Sequence, residues 1–555
     1  MDEPRRRQPA ERSPRVNFSQ AGAPRWDVRM PKITPFGNPD GSRSDLQEVL
    51  DHFVSFDQTR FGSGLGIRFD DLSVRVIVGA KGSGKTVYLR RLQASASSNA
   101  SRYADVIRQD LPTTANIVKF GQLFPSRDLT ERWMQLWNCA ITRSLVSHML
   151  FAPELRARLS DQHRESILEH VPHPLPKLRT KVSVYSQLTD IIASFHTEHQ
   201  YAKYFDHPGW AQLYEILAEA IRNLPPIYLF LDSVDEEYSR APMFWMQCQK
   251  GLFYTAMRLL RDANMGSKLH VITSVRDHVL SAILRSEHRT RYQGEPHIRL
   301  LTWDYDAADF FLRQKIDQME DAYLLRPKAA DPLERWLGTR AIENLGRGIE
   351  EPASQYLLRH TRLLARDVVI LGNQLTLAAL EAKQKRKDRI DAKTLRRVVR
   401  RSAKAFGDEH VRICANQISS NLMPPEATRK DFADLYTGDT EYVRGVAEQL
   451  RRVIRHIGID RFGRDDMKKA SRYSRSVFGK SSDVLSVLWQ NRLLGYTHRT
   501  ADGRVEVFFS EENCDDFNIP LDKEEYVFHS CVIDSVGIDA IGQRPIGAVS
   551  DDEAK

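Results

Sequence analysis

Four residues near the start of the chain have the types and the spacing needed to hold a phosphate group. Gly79, Gly84, Lys85 and Thr86 fit the pattern G-x-x-x-x-G-K-T in the segment GAKGSGKT. Glycines let successive backbone N–H groups turn toward an anion, the lysine can reach the outer phosphates, and the threonine hydroxyl can bind Mg²⁺. We therefore predict a nucleotide-binding loop made of Gly79, Ala80, Lys81, Gly82, Ser83, Gly84, Lys85 and Thr86.

The flanks of this loop favour phosphate binding over the alternative, a glycine-rich surface turn. Four apolar residues, Val74, Val76, Ile77 and Val78, precede the loop, and Val87, Leu89 and Leu92 follow it at helical spacing. A phosphate-binding loop requires this order of strand, loop and helix, because the positive end of the helix then faces the anion. The expected ligand is ATP with Mg²⁺.

A second group of polar residues follows the segment IYLFL at residues 227–231. Five successive apolar residues indicate a strand that is buried on both faces of a parallel sheet. A carboxylate at the end of such a strand can hold the hydrated Mg²⁺, so we predict metal contacts from Thr86 and Asp232. Asp235 or Glu236 would then aim a carboxylate at the attacking water. The alternative is a strand that simply ends in a polar turn.

A third group follows the apolar segment LHVITS at residues 269–274. Hydroxyl groups and a guanidinium at this sheet edge can contact the γ-phosphate or order a water molecule. We predict that Thr273 and Arg276 have this catalytic role.

The elements that must position these residues alternate between strand and helix. Besides the three strands above, ANIVKF at residues 115–120 and HIRLL at residues 297–301 predict two more. Each polar group falls at the C-terminal end of a strand, as in a doubly wound fold. We predict an α/β P-loop NTPase core with a parallel sheet over residues 46–325, including a helical insertion at 153–207.

The rest of the chain divides into three predicted regions. Residues 1–45 are rich in Pro, Arg, Ser and Gly and predict a mobile basic tail. Residues 326–425 have a helical pattern and predict an α-helical lid. In residues 426–545, Ser482 can cap an apolar helix, and GYTHRTADGRVEVFF predicts a hairpin that turns at Asp502-Gly503. A helix followed by such a hairpin predicts a winged-helix (α+β) domain.

Composition describes an ordinary globular protein, with 41% hydrophobic and 28% charged residues in 555. No apolar run approaches the roughly 18 residues of a membrane span, and no secretory signal is evident. The five cysteines form no C-x-x-C pair, so neither a disulfide framework nor a zinc site is predicted. We expect a cytoplasmic protein without membrane contact.

Positive charge is concentrated in one segment. Between Lys383 and Lys404, eleven basic residues stand against Asp388 and Asp391, a local net charge of +9 in a chain whose total is +8. Such a run is often only a solvated helix face. With the winged helix, it also predicts contact with duplex DNA.

Three segments, GAKGSGKT, YLFLDSVDE and VITSVR, together resemble the additional-strand P-loop ATPases, and specifically the STAND group. The second motif of that group runs apolar strand, Asp, small residue, apolar residue, Asp and Glu, and residues 232–236 match it one by one. The helical segment and winged helix are also similar to the origin-recognition branch of the AAA+ ATPases. The resemblance implies ATP hydrolysis and a slow, regulated switch.

A lid arginine contacts the γ-phosphate in such ATPases. The resemblance implies this role for Arg366 in the segment TRLLARD, with Arg362 second, although Ala365 stands where a proline is expected. An arginine finger acting between subunits has candidates only in Arg289 and Arg291.

Three functions remain open from the sequence. The first is an ATP-driven conformational switch that acts on a protein partner or on its own oligomer, as in bacterial signalling or antiviral defence. The second is a DNA-binding ATPase of initiator or loader type. The third is an ATP-bound scaffold for protein interactions.

Overall fold

A computed structural model describes most of the chain. The described residues are 34–41, 46–51, 53–54, 71–107, 112–125, 128–172, 180–232, 242–284, 286–344, 349–422, 440–479, 484–499, 505–509 and 518–538. They form an α/β fold in which a parallel sheet is followed by a helical region and a second, antiparallel sheet.

The first sheet has five parallel strands. They are β1 (Val76–Gly79), β2 (Tyr103–Ala104), β3 (Ile227–Leu231), β4 (Leu269–Arg276) and β5 (Ile298–Leu300), in the order β2-β3-β4-β1-β5. All residues of β1 and β3 are buried, because helices cover both faces of the sheet. Since the strands are parallel, their C-terminal ends meet at one edge, where the predicted polar groups also lie.

Helices surround this sheet and fill the connections between its strands. They are α1 (Leu46–Asp51), α2 (Lys85–Ser97), α3 (Thr114–Gly121), α4 (Leu129–Phe151), α5 (Pro153–Arg156), α6 (Asp161–His170), α7 (Val184–Ser194), α8 (Glu198–Phe205), α9 (Gly209–Ala220), α10 (Pro242–Leu260), α11 (Asp277–Leu284), α12 (Arg289–Tyr292) and α13 (Tyr305–Asp317). Short 3₁₀ turns follow at Ile221–Asn223 and Asp321–Tyr323. On one face, α4 and α10 pack against Val76 and Val78, and on the other α2 packs against Ile77.

The strand predicted at residues 115–120 is wrong, since this segment is helix α3. The Thr113 side chain caps the helix by accepting a hydrogen bond from the backbone N–H of Asn116. Ile117 and Phe120 are then buried at helical spacing. The missing strand is β2, whose two residues are too short to give a periodic pattern.

The helical region contains α14 (Pro332–Leu337), α15 (Ala353–Leu358), α16 (Ala365–Gln384) and α17 (Ala392–Leu422). It also contains an antiparallel pair, β6 (Ala341–Asn344) and β7 (Ile349–Pro352), in a segment predicted to be helical. The sequence signal for this pair was present in Gly346 and Gly348, which fall between the two strands.

Part of the predicted mobile tail is packed on this helical region. Phe36 is fully buried, and its ring centroid lies 5.0 Å from that of Trp336. The backbone N–H of Phe36 donates to Asn373 Oδ1 at 3.0 Å, and Asn373 Nδ2 donates to the carbonyl of Gly37 at 3.0 Å. A single buried aromatic residue gives no periodicity, so the sequence did not reveal this contact. Residues 1–33 lie outside the described part of the chain.

The C-terminal region combines α18 (Thr440–Ile457), β8 (Arg461–Gly463), α19 (Arg464–Phe478), α20 (Val484–Gln490), β9 (Leu494–Arg499), β10 (Val505–Phe508), β11 (Glu525–Phe528) and α21 (Ser530–Val536). Its strands form an antiparallel sheet in the order β10-β9-β11-β8. The predicted hairpin is confirmed as β9 and β10, whereas Ser482 and the turn at Asp502-Gly503 lie outside the described residues. In the described parts of the chain, no helix is long and apolar enough to cross a membrane.

Candidate functional site

The glycine-rich loop at residues 79–86 connects β1 to α2 and requires glycine at several positions. Gly82 and Gly84 have φ angles of 90° and 96°, in the left-handed region that side chains disfavour. A Cβ atom on Gly79 would lie 2.4 Å from Ser83 Oγ. The loop therefore keeps a tight backbone conformation at the N-terminal end of α2, where unpaired N–H groups favour an anion.

Lys85 bends back over this loop from the first residue of α2. Its Nζ donates hydrogen bonds to the carbonyl oxygens of Gly79 at 3.0 Å and Ala80 at 3.1 Å. Ser83 Oγ is buried in the same loop and has no hydrogen-bond partner among the described residues. An ammonium group that is fixed over the loop by two carbonyl oxygens, and a hydroxyl group without a hydrogen-bond partner, both fit a phosphate ligand.

Asp232 lies directly after β3 and is held by two hydroxyl groups. Its Oδ1 accepts a hydrogen bond from Ser274 Oγ at 2.9 Å, and its backbone carbonyl accepts one from Tyr185. Ser274 in turn is paired in register with Ile77, two residues before the loop. The predicted metal-binding acid thus follows β3, a strand that is separated from β1 by β4 alone.

The structure brings Ser274, and not the predicted Thr273, against Asp232. Successive strand side chains point to opposite faces, so Thr273 faces the same side as Val271 and Val275, which belong to the core formed with α4 and α10. Thr273 Oγ1 is buried without a partner among the described residues. The sequence places both hydroxyl groups at the end of this strand. Because side chains alternate between the two faces of a strand, only that of Ser274 faces Asp232.

Arg276 is the last residue of β4 and is paired in register with Gly79. Its backbone N–H donates to Gln249 Oε1 at 3.1 Å, which fixes the end of the strand beside the loop. Arg276 therefore lies at the edge of the sheet beside the loop, and its catalytic role stays a prediction. The predicted acids Asp235 and Glu236 lie outside the described residues.

Of the two predicted lid arginines, Arg366 contacts the loop. Its backbone N–H donates to the Gly82 carbonyl at 3.1 Å, and its Nε donates to the Pro39 carbonyl at 3.1 Å. A Cβ atom on Gly82 would lie 3.2 Å from the Cβ of Arg366. The first turn of α16 therefore packs directly on the loop.

Arg362, the second candidate, is engaged elsewhere in a buried ion pair. Its Nε and Nη2 donate to the two carboxylate oxygens of Asp367 at 2.9 and 3.0 Å. Burial opposes the charge of Arg362, but the carboxylate of Asp367 raises the pKa of the guanidinium above its ordinary value. The pair therefore remains ionised, and it fixes the turn between α15 and α16.

Two further contacts to the loop were not predicted. Trp303 Nε1 donates to the Ser83 carbonyl at 2.9 Å from the segment after β5. Lys81 Nζ lies 3.9 Å from Glu409 Oε1 on α17, where burial raises the pKa of the glutamate. Neither Trp303 nor Glu409 belongs to a motif, so no sequence signal marked them.

A cleft lies between the loop, the helical region and the C-terminal region. It is lined by Ala80, Lys81, Arg276, Asp277, His278, Arg362, Leu364, His410, Ile413, Gln417, Gln490, Asn491 and Arg492. Arg492 has a φ of 58°, uncommon for a residue with a side chain. Burial would raise the pKa of Asp277, but His278 and the positive charges of Arg492 and Lys85 hold it at about 2.

The finger candidates Arg289 and Arg291 lie on α12, and Arg289 Nε donates to Gln293 Oε1 at 3.3 Å.

Within the described residues, no group of three or more His, Cys, Asp or Glu side chains is arranged to hold a metal ion. The predicted magnesium contacts, Thr86 and Asp232, would therefore need phosphate oxygens to complete the coordination.

No protein-family model matches the chain, and no curated protein matches it at a significant level.

Proposed function

We propose that this protein binds ATP and Mg²⁺ at residues 79–86 and acts as a nucleotide-dependent conformational switch. The observation that carries the proposal is the loop itself. Gly82 and Gly84 are left-handed, and Lys85 is held across the Gly79 and Ala80 carbonyls at the start of α2. These are the backbone and charge features that phosphate recognition needs.

The fit of the ligand can be stated residue by residue. Backbone N–H groups of the loop and the Lys85 ammonium would bind the phosphates, and Ser83 Oγ offers an unsatisfied polar atom beside them. Thr86 and Asp232 would hold the magnesium ion, with Ser274 fixing one carboxylate oxygen of Asp232. When bound, Mg²⁺ neutralises negative charge on the phosphates.

The order of the strands supports an additional-strand P-loop NTPase core. Strand β4 lies between β1, which leads into the loop, and β3, which ends at Asp232. This inserted strand is the feature from which the additional-strand ATPases take their name. The core would be followed by a helical lid. The order α18, β8, α19, α20, β9 and β10 supports a winged-helix domain, with β11 as an added strand.

The contacts that the other regions make with the loop support a conformational switch rather than a protein that only binds nucleotide. The lid contacts the loop through Arg366 and through the pair Lys81 and Glu409, while Arg492 of the C-terminal region lines the same cleft. A ligand shifts a conformational equilibrium only through different contacts in the two states. Phosphates bound at this loop would act on the residues that join the three regions.

Hydrolysis belongs to the proposal as a slow and regulated step. Arg276 lies beside Gly79 at the end of β4, and its guanidinium would stabilise charge on the phosphates. The role of Asp235 or Glu236 in positioning water stays a prediction.

Calorimetric titration with ATP and Mg²⁺ tests the proposal directly. The wild-type chain is expected to bind one ATP, and Lys85→Ala is expected to lose roughly ten- to a hundredfold in affinity, because a hydrogen bond to a charged group contributes about 1.5–3 kcal/mol. The matched control is Lys468→Ala, which removes an exposed lysine from α19. Equal ATP affinity in all three proteins would reject the site.

A further inference from the structure

The basic segment at residues 383–404 runs from the end of α16 into α17, and its basic side chains are largely exposed. Two of its eleven basic residues contact other elements of the fold. Lys383 Nζ donates to the carbonyls of Asp321, Ala322 and Leu324, and Arg396 lies 3.9 Å from Glu343. The other nine are exposed, and we call them the basic arm: Lys385, Arg386, Lys387, Arg389, Lys393, Arg397, Arg400, Arg401 and Lys404.

Five members of the basic arm lie along one face of α17, namely Lys393, Arg397, Arg400, Arg401 and Lys404. At 100° and 1.5 Å per residue, they form a stripe about 100° wide and about 16 Å long. Residues 392–407 contain no acidic side chain. The stripe therefore presents a dense positive charge along a single helix.

The opposite face of α17 fixes this stripe in place. Leu395, Val399 and Ala403 are buried. Asp534 on α21 is a carboxylate near the stripe: burial raises its pKa above the ordinary value, and the charges of Arg400 and Lys404 oppose this shift only in part. Because α17 is anchored, binding a partner would order the side chains of the stripe but not its backbone.

The helix that a winged-helix domain would insert into a DNA groove is not exposed. Residues Val484 to Trp489 of α20 are all buried, and α20 contains no lysine or arginine. Its C-terminal end is joined to α17, because Gln417 donates to Gln490 Oε1 at 2.9 Å and accepts from Asn491 Nδ2 at 3.0 Å. Contact with DNA through this helix would require the C-terminal region to leave α17.

The chemistry of the arm favours a polyphosphate over the other partners of a cationic surface. Helices that lie in a membrane interface need apolar side chains beside their cations, and protein interfaces have an apolar centre depleted in lysine. The large exposed apolar residues of the described chain are Val106, Leu168 and Leu521, all outside the arm. Contact with a nucleic-acid backbone needs only closely spaced cations.

We propose that the basic arm, and not helix α20, binds duplex DNA through its phosphates without reading the sequence. One strand of duplex DNA carries a charge per about 3.4 Å of the helix axis, so the 16 Å stripe can meet about five phosphates of that strand. The proposal does not rest on ATP binding, since the arm shares no residue with the loop.

The test is fluorescence anisotropy of the full chain with a labelled duplex of about 20 base pairs, titrated at several salt concentrations. Five contacts predict a slope of about −4.5 for log affinity against log salt, at 0.9 per phosphate. The variant K393Q/R397Q/R401Q is expected to flatten this slope to about −2 and to lose at least roughly a hundredfold in affinity at about 50 mM salt.

A matched control removes the same charge from the C-terminal region. The variant R444Q/R452Q/R472Q changes three exposed arginines on α18 and α19 and is expected to keep the wild-type slope within about one unit. Equal losses in both triple variants, or a larger loss in the control, would overturn the proposal, as would absence of binding at low salt. Binding to vesicles of anionic phospholipid without binding to the duplex would assign the arm to a membrane surface instead.

Discussion

The backbone N–H of Arg366 donates a 3.1 Å hydrogen bond to the carbonyl oxygen of Gly82, which joins the first turn of α16 to the glycine-rich loop. The side chain of the same arginine donates through Nε to Pro39, in the packed segment at residues 34–41. One residue therefore connects the loop, the helical region and the N-terminal segment. A conformational change at the loop can therefore affect the helical region and the N-terminal segment through Arg366.

Arg366→Ala is expected to weaken the response of the helical region to nucleotide while leaving the backbone contact to Gly82 in place. The variant removes the guanidinium, so the ATP and ADP states should differ less in their protection from limited proteolysis. Arg335→Ala on α14 is a suitable control, because its partner Asp317 lies outside the cleft. An unchanged difference between the two nucleotide states would remove Arg366 from the switch.

Arg362→Ala is expected to act on stability instead. Arg362 and Asp367 form a buried bidentate pair, and removing one partner leaves an uncompensated buried charge, which costs about 3–5 kcal/mol. The measurement is the midpoint of chemical denaturation followed by fluorescence. The double variant R362L/D367L should recover most of the loss, since no charge is left unpaired. A midpoint equal to that of the wild type in R362A would contradict the structural role.

Much of the candidate site could be predicted because it depends on local sequence. The loop at residues 79–86 and the acid Asp232 follow runs of apolar residues that define their strands. Contacts that depend on tertiary packing gave no such signal. Trp303, Glu409 and Arg492 reach the site from separate elements, and nothing in their own neighbourhoods marks them.

The errors in the predicted strands of the parallel sheet have a common physical cause. The apolar content of residues 115–120 predicts a strand, whereas the cap at Thr113 and burial at helical spacing make them a helix. The real strand β2 has only two residues and is held by pairing with Ile227 and Tyr228. Short segments take the structure that their neighbours impose, so propensity alone does not decide them.

Ser274→Ala is expected to weaken ATP binding more in the presence of Mg²⁺ than in its absence. Ser274 Oγ donates to Asp232 Oδ1, and its loss frees the carboxylate to turn away from the metal position. Thr273→Val is the matched control, because it removes the neighbouring hydroxyl from the opposite face of β4. We expect a loss of about tenfold for Ser274→Ala with Mg²⁺, in line with about 1.5 kcal/mol for a hydrogen bond to a charged group. Calorimetry with and without Mg²⁺ measures both effects, and an equal loss in the two variants would reject the role of Ser274.

Acid is expected to destabilise the junction between the helical and C-terminal regions through three buried histidines. Burial lowers the pKa of His360 to about 3 and that of His529 to about 4, and it lowers the pKa of His410 well below its ordinary value. His529 Nε2 donates to the Thr361 carbonyl at 2.7 Å, and its Nδ1 accepts from the N–H of Cys531, so this ring is neutral in the fold. His410 lies beside the charges of Arg362 and Asp367.

The sign follows from proton linkage. His360 and His529 bind protons in the unfolded chain below about pH 6.5 but remain neutral in the fold down to a pKa of about 3 and about 4, so the stability that they contribute is complete above pH 6.5 and is lost as pH falls. The lowered pKa of His410 gives the same sign. Each should contribute a slope of about 1.4 kcal/mol per pH unit in that window. Denaturation midpoints measured from pH 7.5 to 4.5 test this. His410→Gln is expected to reduce the slope of the unfolding free energy against pH by the contribution of one histidine. His288→Gln, which changes an exposed histidine, should leave the slope unchanged. Stability that stays constant from pH 7.5 to 4.5 in the wild type would show that the buried rings do not control the acid response.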